Sequence, residues 1–97
     1  MRVEGIRHKA LERFYLTGNR KGLDAQLAPR LSRMFAFLDA VQTIADLKVP
    51  PNYDAHELKG NRAGTWSLTV TRNWRMTFRV TEDLGIEDMD LEDYHGA

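Results

Sequence analysis

The sequence contains no cysteine, which excludes a disulfide framework and any thiolate metal site and leaves nothing to argue for an oxidising compartment. It also lacks an apolar run near the roughly 20 residues that span a bilayer, and its N-terminus lacks the apolar core of a signal peptide. A cytoplasmic location with no membrane role is therefore expected. Proline is scarce, at positions 29, 50 and 51 only. Ninety-seven residues can bury one modest core, so residues 1–97 are expected to form a single domain. With 42% hydrophobic and 29% charged residues the chain has the composition of a globular protein rather than a disordered one.

Basic residues are missing altogether from the last segment. All fourteen Lys and Arg precede residue 80, together with seven acidic residues, whereas residues 80–97 hold the other seven acidic residues. The net charge of zero thus hides a basic body and an acidic end. The body could face phosphate, while the acidic end either lies back against it or points to another partner.

What is present reads as helices followed by strands. Residues 6–17 form a first helix on a narrow stripe of Leu11, Phe14 and Tyr15, with Gly18 as its stop. Leu27, Leu31, Met34, Phe35, Leu38 and Val41 recur at helical spacing with Arg30 and Arg33 opposite, which marks the main core helix. Pro29 has no N–H to donate, so the regular helix begins near it. Thr43 and Asp46 have capping-box spacing for one more turn before Pro50-Pro51 closes the helical half.

From Tyr53 the period shortens to two. Trp66, Leu68 and Val70, then Trp74, Met76, Phe78 and Val80, alternate with polar residues and form a hairpin around Thr71-Arg72-Asn73. A strand over 53–58 leads into a Gly60-Asn61 turn, and a last strand over 86–92 follows Asp83-Leu84-Gly85. The expected class is α+β, two N-terminal helices packed on one face of a mostly antiparallel sheet of three to five strands.

Metal-free RNA cleavage needs a base for the 2′-hydroxyl, an acid for the leaving 5′-oxygen and cations near the phosphate. His56, Lys59, Arg75 and His95 are the candidates, since histidine exchanges protons near neutrality and Lys and Arg keep their charge. Each has a plainer reading. His56 fits a surface strand residue, Arg75 and Arg79 a solvated strand face, Lys59 beside Gly60 a polar loop, and Tyr94-His95 a fraying end. Trp66 and Trp74 fit the core better than base stacking. The spacing of His8, His56 and His95 is not that of a metal site, and the acidic run Asp88, Asp90, Glu92, Asp93 lacks the loop of an EF-hand. No metal or cofactor is expected.

Taken together, His56-Glu57-Leu58-Lys59-Gly60-Asn61-Arg62-Ala63-Gly64, Trp66-Ser67, Asn73-Trp74-Arg75-Met76-Thr77-Phe78 and Glu92-Asp93-Tyr94-His95 resemble, in order and spacing, the HigB-type toxins of the HigB/RelE toxin-antitoxin family. Ile6 to Phe14 and Leu38-Asp39-Ala40 resemble the family's two helices, so the likeness spans nearly the whole chain. Met1 to Gly5 is a poor match to the short strand with which the family begins.

The resemblance implies a microbial-ribonuclease-like RelE fold that cuts mRNA in the A site of the 30S ribosomal subunit. It implies that His56, Lys59, Arg75, Asp93, Tyr94 and His95 form the active site. His95 would transfer a proton, Lys59 and Arg75 would hold the phosphate, and His56 would transfer a second proton or orient. Asp93 and Tyr94 would orient the base and the histidine. Asn73, Arg79 and Arg62 are candidate RNA contacts, Asn73 having an equal case as a turn residue. Glu57 stands where the family often has proline, and strand alternation turns it away from the cleft. The implied partner is a HigA-like helix-turn-helix antitoxin, through whose complex alone operator DNA would be bound. Two other functions use the same scaffold: a toxin that binds DNA gyrase without proton transfer, and a catalytically inert partner of an antitoxin.

Overall fold

The computed structural model describes residues 1–93, in the order β1 (Arg2–Val3), α1 (Lys9–Thr17), α2 (Ala28–Ala40), α3 (Ile44–Leu47), β2 (His56–Glu57), β3 (Thr65–Thr69), β4 (Trp74–Val80) and β5 (Gly85–Asp93), with 3-10 turns at Pro51–Tyr53 and Gly60–Arg62. The five strands form one sheet in the order β1-β5-β4-β3-β2. All pairings are antiparallel except β1 with β5.

The helices begin and end where local chemistry requires. His8 caps α1 by accepting the Leu11 N–H on Nδ1 at 3.2 Å, so the helix starts at Lys9 rather than at residue 6. Gly18 ends it at φ 79°, and its N–H donates to the Phe14 carbonyl. Pro29 lies in the first turn of α2, where its missing N–H costs nothing. The Thr43/Asp46 capping box forms in full and starts α3. At the other end of α2 the Met1 ammonium donates to the carbonyls of Leu38, which also accepts the Val41 N–H, and of Val41 itself.

The core lies between the helices and one face of the sheet. Leu11, Leu31, Met34, Leu38 and Leu47 from the helices meet Leu68, Met76, Phe78, Ile86 and Met89 from the strands, all fully buried. Each such side chain contributes about 1.5–3 kcal/mol through removal from water.

The sheet departs from the sequence reading in three places. Tyr53 belongs to a 3-10 turn, because Pro50 and Pro51 carry the chain into that turn, so the strand expected over 53–58 shrinks to His56–Glu57. Residues 2 and 3 do form a strand despite their weak pattern, because β5 offers them a partner edge. In β5 the register shifts opposite Thr77 to Arg79, and Asp88 sits at φ 54°. This bulge lets both Ile86 and Met89 reach the core, although they are three residues apart.

Candidate functional site

The face of the sheet away from the helices is polar. Residues paired directly across antiparallel strands project to the same side, so the register places His56, Ser67, Thr77 and Asp90 in one row and Thr69, Arg75 and Glu92 in the next. Residues Gly85–Asp93 of the acidic segment are an inner strand of the sheet, laid directly against β4 with its Arg75 and Arg79.

His56 is exposed on the outer strand β2, with Nδ1 2.8 Å from the Asp54 carbonyl. A carbonyl can only accept, so the ring donates through Nδ1. In the neutral ring this leaves the basic lone pair on Nε2. Lys59 is exposed at the start of the Gly60–Arg62 turn, which Gly60 makes possible at φ 70°. Glu57 pairs with the core residue Trp66, so it faces away from the polar side as strand alternation requires. Its Oε2 accepts the Gly64 N–H at 3.0 Å and closes the 58–63 loop. Gly64 has φ 93°, and a Cβ there would lie 2.8 Å from an Arg79 guanidinium nitrogen. The backbone at that φ favours glycine, whereas the Arg79 guanidinium, at the end of a flexible side chain, could move aside.

Glu92, which the sequence reading left out of the site, occupies its centre. Its Oε1 accepts from Arg62 Nη1 at 2.9 Å and from Arg75 Nη2 at 3.1 Å. Its Oε2 accepts from Arg62 Nη2 and from the buried Thr77 hydroxyl, both at 2.6 Å. The bidentate Arg62 bond, with help from Thr77 and Arg75, outweighs the opposing effect of burial and holds the Glu92 carboxyl at about 2. The same bond raises Arg62 further above its ordinary value. The signal for Glu92 was present in the alternation: with Leu91 inward, Glu92 must share a face with Arg75.

The structure thus brings His56, Arg75, Arg62 and Arg79 onto or over one face, with Lys59 on the loop beside it. Arg62 lies in an ion pair with Glu92 at 2.6 Å. Asn73 is exposed in the hairpin loop, at the same end of the sheet where Trp74 pairs with Asp93. Asp93 shares the side of Trp74, opposite to Glu92. Tyr94 and His95 lie outside the described residues.

A sequence profile for RelE-like toxins of type II toxin-antitoxin systems, HigB, matches residues 4–95. The chain belongs to the HigB toxin family. It is 35% identical over 94 residues to the endoribonuclease HigB of Proteus vulgaris, covering 96% of this chain and 99% of that protein. It is 31% identical over 82 residues to toxin HigB-1 of Vibrio cholerae, covering 84% of this chain and 86% of that one. The structure is similar to that of YafQ from Escherichia coli strain BL21(DE3), with a TM-score of 0.58 at 17% identity, covering 95% of this chain and 94% of YafQ. At that identity the likeness speaks for the fold, an α+β RelE-type sheet and helices. As a HigB-family toxin of a type II system, the protein has an antitoxin as its partner. Among the described residues no helix is long and apolar enough to cross a membrane.

Proposed function

We propose that this toxin, an mRNA endoribonuclease by family, cuts mRNA in the A site of the small ribosomal subunit without a metal. In this reaction the 2′-oxygen attacks the adjacent phosphorus as its proton passes to a base. The bond from phosphorus to the 5′-oxygen breaks, and that oxygen takes a proton from an acid. His95 serves proton transfer, and His56 a second transfer or orientation through Nε2. Lys59 and Arg75 hold the phosphate and the charge it accumulates in the transition state. Asp93, from the Trp74 side of the strand end, and Tyr94 orient the base and the histidine, while Asn73, Arg79 and Arg62 contact RNA.

The observation that carries this reading is the meeting of three separate segments at one polar face. The strand register brings His56, the β4 residue Arg75 and Glu92 near the end of β5 to that face, and the Arg62–Glu92 bond ties the loop of Lys59 to it. The partner we assign is a HigA-like helix-turn-helix antitoxin whose complex with the toxin binds operator DNA, and the site of action is the cytoplasm.

The test is to map mRNA 5′ ends after brief induction, with ribosome-bound and free transcripts compared. Cuts should be confined to translated mRNA. Arg75→Ala should cleave roughly 10²–10³-fold more slowly, as expected for loss of one preorganised donor. His95→Ala should lose roughly 10²–10⁴-fold, as for a general acid or base. Growth arrest with mRNA intact would overturn cleavage and turn attention to gyrase binding.

A further inference from the structure

The Glu92 carboxylate has all four of its lone-pair positions engaged by Arg62, Arg75 and Thr77. A carboxylate so saturated has no acceptor capacity left for a 2′-hydroxyl, and its charge is matched against two guanidinium groups. It is unsuited to take a proton from substrate or to bind RNA directly. Its neighbours are the informative part. Arg75 stands beside it on β4, whereas Arg62 comes from the loop that follows β2, the outer strand. Strands β3 and β4 lie between β2 and β5 in the sheet. The Arg62–Glu92 bond therefore fastens the loop carrying Lys59 across the polar face to the strand that ends in Asp93.

This differs from an ordinary surface ion pair in geometry. The Arg62 fork is bidentate, and the side chains of Glu92 and Arg75 are only 22% and 20% exposed. Thr77, which completes the set, is 1% exposed. Such pairing fixes direction as well as distance. Among the described residues the loop's other hydrogen bonds run from the Leu58 N–H to the Thr65 carbonyl, from the Ala63 N–H to the Gly60 carbonyl and from the Gly64 N–H to Glu57.

We propose that Glu92 and Arg62 are positioning residues of the ribonuclease, a clasp that holds the Lys59 loop and the Arg75 guanidinium in register with the end of β5. This rests on the cleavage reading for its catalytic consequence and on geometry alone for the clasp. The clasp acts on alignment of the groups around the phosphate, so its loss falls on turnover. Misplacement of about 1 Å is enough to cost roughly 100-fold in rate.

The experiment compares wild type, Glu92→Gln, Arg62→Lys and the double variant by two measurements. The first is amide exchange at Leu58, Ala63 and Gly64 in the free toxin. The second is single-turnover and steady-state cleavage of ribosome-bound mRNA. Arg62→Lys, on an exposed loop, keeps the charge and removes only the fork, so it folds even if Glu92→Gln is weakened.

Both single variants should exchange the three amides roughly tenfold faster or more. Both should lose roughly 10- to 100-fold in turnover with little change in KM, since lysine keeps the charge that Arg62 offers to RNA, and the double variant should lose no more than the worse single, because the pair acts as a unit. Wild-type exchange in both variants overturns the clasp. So does a lowered KM with turnover intact, which would make Glu92 a competitor of phosphate for the two arginines. A wild-type protein that does not cleave overturns the cleavage reading instead, and the exchange measurement then decides the clasp by itself.

Discussion

The carboxyl of Glu92 also links this face of the sheet to acid stability. An exposed glutamate titrates near 4.5, whereas Glu92 in the folded chain titrates at about 2, chiefly through Arg62. A folded value below the unfolded one means that the bonds to Glu92 stabilise the chain fully above pH 4.5 and cease to as pH falls through about 2. The Arg62 side chain is 41% exposed, so solvent screens the pair, and the contribution is about 1–2 kcal/mol rather than the larger value the shift alone would give. Glu92→Gln should lower stability by that amount at pH 6 and by far less at pH 2.5, as read from urea melts at both. An equal loss at the two pH values would mean that packing rather than charge carries the effect.

At the scale of elements, β5 shows what a bulge does to pattern. β-propensity alone would make Asp88→Val favourable in a strand. The backbone at Asp88 has φ 54°, which a β-branched side chain tolerates poorly. Asp88→Val should therefore destabilise by about 1–2 kcal/mol, lowering the midpoint of thermal unfolding by about 4–8 °C per kcal/mol in a domain this small. A raised midpoint would show that the bulge is not fixed.

The same bulge explains where the sequence was opaque. Period two located β3 and β4 within a residue because both run regularly, and the 3.6-residue stripe found α2 with its Pro29 start. No such rhythm links Ile86 to Met89, and nothing local marks Arg2–Val3 as a strand, since its partner is distant in the chain. The start of α1 was misplaced because histidine, which caps it here, is an unusual choice beside Ser, Thr, Asp or Asn. For the candidate site, His56, Lys59 and Arg75 stood out by chemical type. Glu92 did not, because the meaning of a carboxylate among acidic neighbours depends on which cations the fold brings to it.

For the whole molecule the question is how a chain of zero net charge engages RNA. Folding places the acidic segment inside the sheet and directs Glu92 against Arg62 and Arg75, so part of the opposing charge is neutralised internally. Lys59, Arg72 and Arg79 remain exposed on or beside the polar face and its loops. Binding should then depend on salt as if to a basic surface, because affinity follows the phosphates contacted rather than the net charge. For a single-stranded RNA carrying a 2′-deoxy nucleotide at the cut, three or four contacts correspond to a slope of log K against log salt of about −2 to −3, at about 0.7 per contact. Replacing Lys59 and Arg79 by alanine should make the slope shallower by about 1.4. The same change at Arg30 and Arg33, exposed on α2 and hence on the helical side, should leave it unaltered. Binding by titration calorimetry or fluorescence anisotropy from 50 to about 300 mM salt would measure both. A wild-type slope near zero would mean that the neutral total governs the encounter, and equal losses from the two pairs would mean that the polar face has no privileged role in meeting RNA.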